Sequence, residues 1–311
     1  MRCPLCGNAQ ARVLQEIRTA DLVGLHSGAL AGIVGELLAD LDVIAFCACD
    51  ACELRFFHPP RPGSEAFYQA CQELESYYPQ EKPEFTFARA RIEQRHRVLE
   101  VGCGSGAFGA GLDVSEYVGL ELNRAAADEA RALGLHVASE DLEAHSADRP
   151  EAYDVVCAFQ VLEHVADPAS FLNACIGALK VGGELIVSMP SVDSFAKNVS
   201  NFALDMPPHH LSRWNDNSLR AVARLNSLEL REIWHERLQP VHRRVFGASV
   251  LTRMAYALTG RRVPAVDRTA FGRAVATLAG KASLCVVPFG ALLDYARGIS
   301  VTAVYRKRQP T

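Results

Sequence analysis

An acid and three glycines about one third of the way along the chain have the types and spacing that suit a nucleotide-like ligand. The run from Arg97 to Gly106, RVLEVGCGSG, predicts a buried strand that turns at Gly102 and then enters a helix. Glycines at alternate positions have no Cβ, so backbone amides can approach a ligand closely. A turn between a strand and a helix is a suitable cradle for such a cofactor. Glu100, inside the strand, favours a cofactor that carries positive charge.

This run resembles motif I of the class I S-adenosylmethionine-dependent methyltransferases, and four later segments follow in the family's order: residues 117–123, 136–142, 153–165 and 179–190. The resemblance implies that Glu121 binds both ribose hydroxyls and that Asp141 accepts from the adenine amino group. Two adjacent hydroxyls suit the two oxygens of a carboxylate. The cofactor-binding residues that the resemblance implies are Glu100, Gly102, Cys103, Gly104, Gly106, Glu121, Leu122, Asp141, Leu142 and Gln160.

Two other interpretations of the same segments stay open. The stretch from Gly104 to Gly109 also satisfies the G-x-G-x-x-G pattern of a nicotinamide-binding fold, with Glu121 near the expected offset. An α/β domain of this kind can also be a non-catalytic scaffold that only binds the cofactor, because fold alone does not imply function. The order of all five segments over residues 97–190 favours the methyltransferase.

Two pairs of cysteines predict a metal site near the amino terminus. Cys3 and Cys6 form one C-x2-C knuckle, and Cys49 and Cys52 form a second. Four thiolates suit tetrahedral zinc and leave no open position, so the ion is expected to be structural. Residues 27–41 predict a helix inserted between the knuckles. Glu53 stands where the second knuckle usually has glycine, and the alternatives that Cys47 or His58 supplies a ligand remain open at this point.

Three histidines are the candidates for acid–base chemistry. His164 follows the predicted fourth strand, at the edge of the sheet where the methyl donor is expected. His209 and His210 follow the fifth strand, where a substrate loop belongs, and relatives with a similar His-His-Leu segment place it at the acceptor side. Either one would contact the substrate and act as a base for an oxygen or carbon nucleophile. The structural alternatives are that His164 orders its loop and that the pair caps the following helix.

These elements predict an α/β fold with a Rossmann-like class I methyltransferase sheet of seven strands, the last pair antiparallel. Residues 1–60 are expected to form a zinc-ribbon-like module and residues 61–96 connecting helices. Residues 97–311 are expected to form the methyltransferase domain. Within that domain, residues 239–298 are too long for a loop and predict a helical insertion. A helix from Ser218 to Leu225 is predicted to be capped by Asn217 or Ser218.

The charge of the chain is unevenly distributed. The 311 residues contain 32 Lys and Arg against 36 Asp and Glu, but residues 207–311 contain 17 against 6. A basic third suits an anionic partner, and we expect a small-molecule or glycan-precursor acceptor. An RNA methyltransferase is the alternative; the acidic remainder of the chain, which would repel phosphates, and the lack of an RNA-binding motif stand against it.

The sequence also bears on membranes and location. No apolar run reaches the ~18 residues that a membrane span requires, and the amino terminus lacks a basic-then-apolar signal, so a cytoplasmic setting is expected. The stretch from Ala282 to Leu293 permits a helix in the membrane interface. We favour instead a cover over the substrate pocket or a dimer contact.

Overall fold

A seven-stranded sheet forms the centre of the computed structural model, which describes residues 1–72, 81–286 and 296–309. The strand order is β10-β11-β8-β7-β4-β5-β6. Strands β8, β7, β4, β5 and β6 are each parallel to their neighbours among these five, whereas β11 is antiparallel to both β8 and β10. The predicted fold class, with its antiparallel last pair, is therefore confirmed. The strands are β4 (Arg97–Val101), β5 (Glu116–Leu120), β6 (Val137–Ala138), β7 (Tyr153–Phe159), β8 (Leu179–Pro190), β10 (Leu228–Arg237) and β11 (Arg297–Lys307).

The central strands are apolar because helices cover both faces of the sheet. Val156 in β7 and Ile186 in β8 are fully buried, as is Val304 in β11. Such near-continuous apolar runs are typical of parallel strands that have no solvent-facing side. The helices are α4 (Pro83–Arg89), α5 (Arg124–Ala132), α6 (Leu142–Asp148), α7 (Pro168–Ala178) and α8 (Asp216–Leu225).

Two local predictions are corrected by the structure. The glycine-rich turn does not enter an α-helix: the helical element that follows is one 3₁₀ turn, Gly109–Gly111. Helix α8 is capped by Asn215 rather than by Asn217 or Ser218, because the Asn215 side chain accepts from the backbone N–H of Ser218. The Ser218 hydroxyl in turn accepts from the Asn215 backbone N–H, which completes a capping box.

A second, antiparallel sheet lies at the amino-terminal end, in the order β1-β2-β3-β9. The predicted inserted helix is present as α2 (Gly28–Leu37), preceded by the short α1 (Thr19–Val23). The last strand of this sheet is contributed from far along the chain, where Ser212 pairs with Phe56. The strands are β1 (Ala11–Arg18), β2 (Val43–Cys49), β3 (Arg55–His58) and β9 (Ser212–Arg213), and α3 (Glu65–Gln72) follows β3.

The insertion between β10 and β11 contains two helices, α9 (Arg243–Leu258) and α10 (Ala270–Val286). Residues 287–295, which include much of the apolar stretch from Ala282 to Leu293, lie outside the described residues. In the part of the chain that is described, no helix is both long and apolar enough to cross a bilayer.

Candidate active site and metal centres

The carboxyl ends of the parallel strands define the candidate site, because ligands of open α/β sheets bind along this edge. The glycine-rich turn leaves β4 there with Gly102, Gly104 and Gly106 at φ +70°, +54° and +84°. These are left-handed conformations that glycine adopts without penalty. A Cβ on Gly102 would lie 2.6 Å from Val161 Cγ2, so the approach of the next loop also requires glycine.

Glu121 follows β5 and is oriented by the same turn. Its Oε2 accepts from the backbone N–H of Gly104 at 2.9 Å, and its Oε1 accepts from that of Asn123 at 2.8 Å. Each oxygen retains a second lone pair for a ligand hydroxyl. Leu122, the next residue, is 69% exposed. The turn therefore places a fixed carboxylate beside an uncovered apolar side chain.

Glu100 lies in β4, two residues before Gly102, and its side chain is buried. It accepts a hydrogen bond from the Tyr117 hydroxyl at 2.5 Å. Burial raises the pKa of Glu100 to about 8, with the Tyr117 hydrogen bond opposing that shift. Burial likewise raises the pKa of Cys103 well above its usual range. Cys103 is thus a neutral thiol, and Glu100 is mainly protonated at neutral pH until a cation lies near it.

The predicted adenine-side residues have structural partners of their own. Asp141 caps α6, because its Oδ1 accepts from the backbone N–H of Ala144 at 2.8 Å. Its second oxygen is not used by that bond. The side chain of Leu142 packs into the central core and is 5% exposed, so only its backbone can serve a ligand.

Gln160 occupies the loop after β7 in a strained conformation. Its φ is +58°, a left-handed value that a non-glycine residue rarely adopts. Its Nε2 donates to Glu84 Oε1 at 3.0 Å and to Ser300 Oγ at 3.2 Å. Glu84 is 2% exposed, and sequence reasoning missed it because an acid in the first turn of a helix normally indicates a solvated position.

The three candidate histidines form one cluster. The ring centroid of His164 lies 4.5 Å from that of His209 and 4.8 Å from that of His210. The rings of His209 and His210 stack on each other, with centroids 4.6 Å apart. Tyr68 of α3 contacts His164 edge-on, with centroids 5.9 Å apart. The structure thus brings together side chains from the loops after β7 and β8, which the sequence offered as two separate candidate sets.

Burial makes these histidines weak bases. Desolvation, with the nearby His210 as a second cause, lowers the pKa of His164 to about 3. Desolvation and the charge of Arg213 lower the pKa of His210 to about 3 as well. Burial also lowers the pKa of His209 well below its usual value. All three imidazoles are therefore neutral at pH 7 and offer lone pairs rather than stored protons.

Glu163, beside His164, is a buried carboxylate that sequence reasoning did not assign. It is 1% exposed, and neither oxygen has a hydrogen-bond partner among the described residues. Burial raises the pKa of Glu163 to about 8. Its backbone carbonyl accepts from the N–H of Leu211 at 2.7 Å, which ties the loop after β7 to the His209–His210 segment.

A family model described as a methyltransferase domain matches residues 71–254. The chain belongs to the methyltransferase-domain family. The resemblance found in the sequence is thereby confirmed.

Relatives of this methyltransferase-domain protein align over part of its length. It is 35% identical over 100 residues to the ubiquinone biosynthesis O-methyltransferase of Vibrio atlanticus, a match that covers 30% of this chain and 42% of that protein. The chain thus spans about two fifths of the length of that relative. The ubiquinone biosynthesis O-methyltransferase of Marinobacter nauticus is 29% identical over 164 residues, 47% of this chain and 68% of that one.

A solved structure is also similar to the methyltransferase-domain chain. The SAM-dependent methyltransferase of Archaeoglobus fulgidus aligns with a TM-score of 0.46 at 16% identity, over 79% of this chain and 95% of that one.

Four cysteines lie together before the region that the methyltransferase model matches. The Sγ atoms of Cys3 and Cys52 are 3.5 Å apart, as are those of Cys6 and Cys49. The four sulfur atoms all lie within 4.8 Å of one another. Cys47 is not part of this group, because its thiol contacts Met1 Sδ at 3.5 Å.

The second knuckle turns at Glu53, where glycine was expected. Its φ is +61°. Its carboxylate accepts from Asn215 Nδ2 at 2.9 Å and from Asn217 Nδ2 at 2.8 Å. Two hydrogen bonds to the start of α8 therefore compensate for a strained backbone.

A cleft of about 570 Å³ lies between α9 and the 3₁₀ turn Phe195–Asn198 that follows β8. Its apolar lining residues are Phe195, Phe246, Val250 and Met254, and its charged ones are Lys197, Arg253, Arg297 and Asp193. Because Ser300 of β11 pairs with Pro190 of β8, the cleft opens at the same edge of the sheet as the glycine-rich turn. Three cations against one carboxylate give it a positive balance.

Proposed function

We propose that this protein transfers a methyl group from S-adenosylmethionine to an oxygen of a small anionic molecule. The observation that carries the proposal is the Glu121 carboxylate, held by two backbone N–H groups next to a left-handed glycine turn and the exposed Leu122. This arrangement offers two fixed acceptors to a ribose and an apolar surface to a purine. When bound, the sulfonium donor supplies an electrophilic methyl group.

The residues of the chain have separate parts in this reaction. Glu121 holds the ribose, and Glu100 places a buried carboxylate on the side of the turn where positive charge is favoured. We expect backbone amides of the glycine turn to position the rest of the donor. With the donor bound, methyl transfer would form the C–O bond as the C–S bond breaks, with the C–S electron pair staying on sulfur and the hydroxyl proton of the acceptor passing to solvent. Correct alignment provides most of the rate acceleration.

The histidine cluster and the cleft support the acceptor assignment. His164 lies in the loop after β7 and contacts His209 and His210, and we place the acceptor oxygen on the side of this cluster that faces the donor. With pKa values of about 3, His164 and His210 are weak proton acceptors at neutral pH. Lys197, Arg253 and Arg297 line the cleft beside α9, together with apolar side chains, which suits an anionic molecule with an apolar body. The relatives named O-methyltransferases support oxygen as the methylated atom.

We further propose that Cys3, Cys6, Cys49 and Cys52 hold one structural zinc ion. Four sulfurs around zinc, with bonds of about 2.3 Å, lie roughly 3.8 Å apart. The two 3.5 Å pairs are close to this spacing. Because all four positions are filled by thiolates, such an ion stabilises the fold and takes no part in methyl transfer.

A turnover assay tests the proposed reaction. The full chain is incubated with S-adenosylmethionine and a panel of hydroxylated aromatic carboxylates, sugar nucleotides and short RNAs, and S-adenosylhomocysteine is quantified. We expect turnover with an anionic small molecule, and a rise in KM of at least tenfold in Arg253→Ala with little change in kcat. Arg231→Ala, outside the cleft, is the control. Turnover confined to RNA, or none with any acceptor despite donor binding, would contradict the proposal.

A further inference from the structure

The histidine cluster has a second property that methyl transfer does not require. One imidazole nitrogen from each of His164, His209 and His210 lies within 4.8 Å of one from each of the others. Bonds of about 2.1 Å place two nitrogens on one metal ion at most about 4.2 Å apart. A small inward movement of the rings therefore brings all three nitrogens to one ion.

The hydrogen bonds of the cluster fix the tautomer of each ring. Nδ1 of His164 donates to the backbone carbonyl of His209 at 2.7 Å, and Nδ1 of His209 donates to that of Leu204 at 2.7 Å. A carbonyl oxygen can only accept, so each Nδ1 carries the proton and each Nε2 carries the lone pair.

His210 follows the same rule through a carboxylate. Its Nδ1 lies 3.1 Å from Asp205 Oδ1, while Asp205 Oδ2 pairs with Arg213 at 3.0 Å. With Arg213 on one oxygen, Asp205 offers its other oxygen as an acceptor to His210 Nδ1–H. Metal-binding histidines characteristically donate their other ring N–H to a carbonyl or a carboxylate, which raises the basicity of the ligating nitrogen. All three rings of the cluster have that arrangement.

A buried carboxylate completes the donor set. Glu163 Oε1 lies 3.9 Å from His164 Nε2, which is the ring nitrogen that carries the lone pair. Neither oxygen of Glu163 has a hydrogen-bond partner among the described residues, although the side chain is 1% exposed. Leaving a carboxylate unsatisfied in the interior is costly, and a cation beside it removes that cost.

We propose that His164, His209 and His210, together with Glu163, bind one divalent transition-metal ion. Three neutral imidazoles and one carboxylate favour zinc, iron, cobalt or nickel over magnesium or calcium, which prefer oxygen ligands. This centre is separate from the four cysteines. An ion here would bind a hydroxyl of the acceptor and acidify it, with the proton passing to solvent. That role rests on the proposed function, whereas the metal binding does not.

Cobalt(II) distinguishes this centre from the cysteine site. The full chain is first loaded with one zinc ion per molecule, which the four thiolates bind preferentially, and cobalt is then titrated with no donor or acceptor present while absorption is recorded. We expect one cobalt per chain with weak d–d bands and no thiolate-to-cobalt charge transfer. Cobalt that appears only with thiolate charge transfer, or no binding, would overturn the proposal. Because S-adenosylhomocysteine binding is measured separately, failure here is distinguishable from failure of the proposed function.

Variants assign the ligands. His209→Gln and His210→Gln should each weaken cobalt binding at least 100-fold, and Glu163→Gln at least tenfold. His145→Gln is the matched control, since His145 is equally buried but both ring nitrogens already pair, with Glu140 and Tyr153. Unchanged binding in the two cluster histidine variants would contradict the assignment.

A measurement on the unaltered chain tests the same ligands if the variants do not fold. Proton NMR of the cobalt-loaded protein should show three strongly shifted exchangeable signals, one from each Nδ1–H. Fewer than three such signals would contradict a three-histidine centre.

Discussion

At the scale of single residues, the buried acids carry most of the information about the ligand. The position of Glu121 directly after β5 was predictable because it is a local feature of the sequence; its contact with a ribose stays a prediction. Glu84 and Glu163 were not predictable, although both lie in the site, because the sequence does not show which side chains of distant segments surround a given acid. Their burial of 98% or more emerges only when the loops after β7 and β8 meet α4 and the His209–His210 segment.

Glu100 gives a prediction about protons. Its pKa of about 8 means that it is mainly protonated at pH 7 in the free protein. A bound sulfonium favours the ionised form and lowers that pKa, so donor binding should release a proton. Release should be largest between the pKa of the free protein, about 8, and the lower pKa of the donor-bound form, and it should fade above and below that range.

Calorimetry in two buffers that differ in ionisation enthalpy measures this release. We expect the apparent binding enthalpy of S-adenosylmethionine to differ between the buffers. Divided by the difference in buffer ionisation enthalpy, this difference should correspond to the release of up to one proton per chain. The difference should be smaller for S-adenosylhomocysteine, which lacks the sulfonium, and should be reduced in Glu100→Gln. Equal enthalpies in both buffers for the unaltered protein would contradict this account of Glu100.

At the scale of elements, long apolar strands were predictable and short or long-range elements were not. The strands β4, β7, β8 and β11 stand where their apolar runs place them. By contrast, β9 has only two residues and forms because β3 offers it an edge. The glycine turn lacks the predicted helix because Gly106, Gly109 and Gly111 recur within six residues, and glycine disfavours helix interiors.

The Glu53 knuckle provides a prediction at this scale. Glu53→Ala keeps the left-handed backbone and loses both asparagine contacts, so it should lower the free energy of unfolding by roughly 2 kcal/mol. Glu53→Gly loses the same contacts but relieves the backbone, so it should be about 1 kcal/mol more stable than Glu53→Ala. Urea denaturation of the two variants provides the comparison, and equal midpoints would show that the conformation at φ +61° carries no strain.

At the scale of the whole molecule, the cysteine cluster and the methyltransferase sheet share one core. Cys3 and Cys52 belong to the same cluster of buried residues as Leu99, Val187 and Trp214. The sequence predicted a separate amino-terminal module because the two C-x2-C knuckles are recognisable on their own. The contribution of β9 to that sheet was hidden, since 152 residues lie between His58, the end of β3, and Leu211, which leads into β9.

Zinc removal should therefore affect the entire chain. Loss of the ion exposes four thiols in a core that extends to the central sheet, so chelation should lower the unfolding temperature of one common transition by at least 5 °C. Differential scanning calorimetry with and without a chelator measures this, and elemental analysis of a Cys3→Ser variant beside the unaltered protein shows whether one zinc ion is lost with the cysteine site. An unchanged main transition after complete metal removal would contradict a structural role.

The central claim is that the edge formed by β4 and β5 binds an adenosyl donor through Glu121. Calorimetric titration with S-adenosylhomocysteine tests it most directly, because the product binds without turnover. We predict one site per chain, and a Kd about 100-fold weaker in Glu121→Ala, equivalent to about 2.7 kcal/mol. Glu129→Ala, on the exposed face of α5, should bind as the unaltered protein does. Absence of binding to the folded protein, or equal affinity in Glu121→Ala, would contradict the claim.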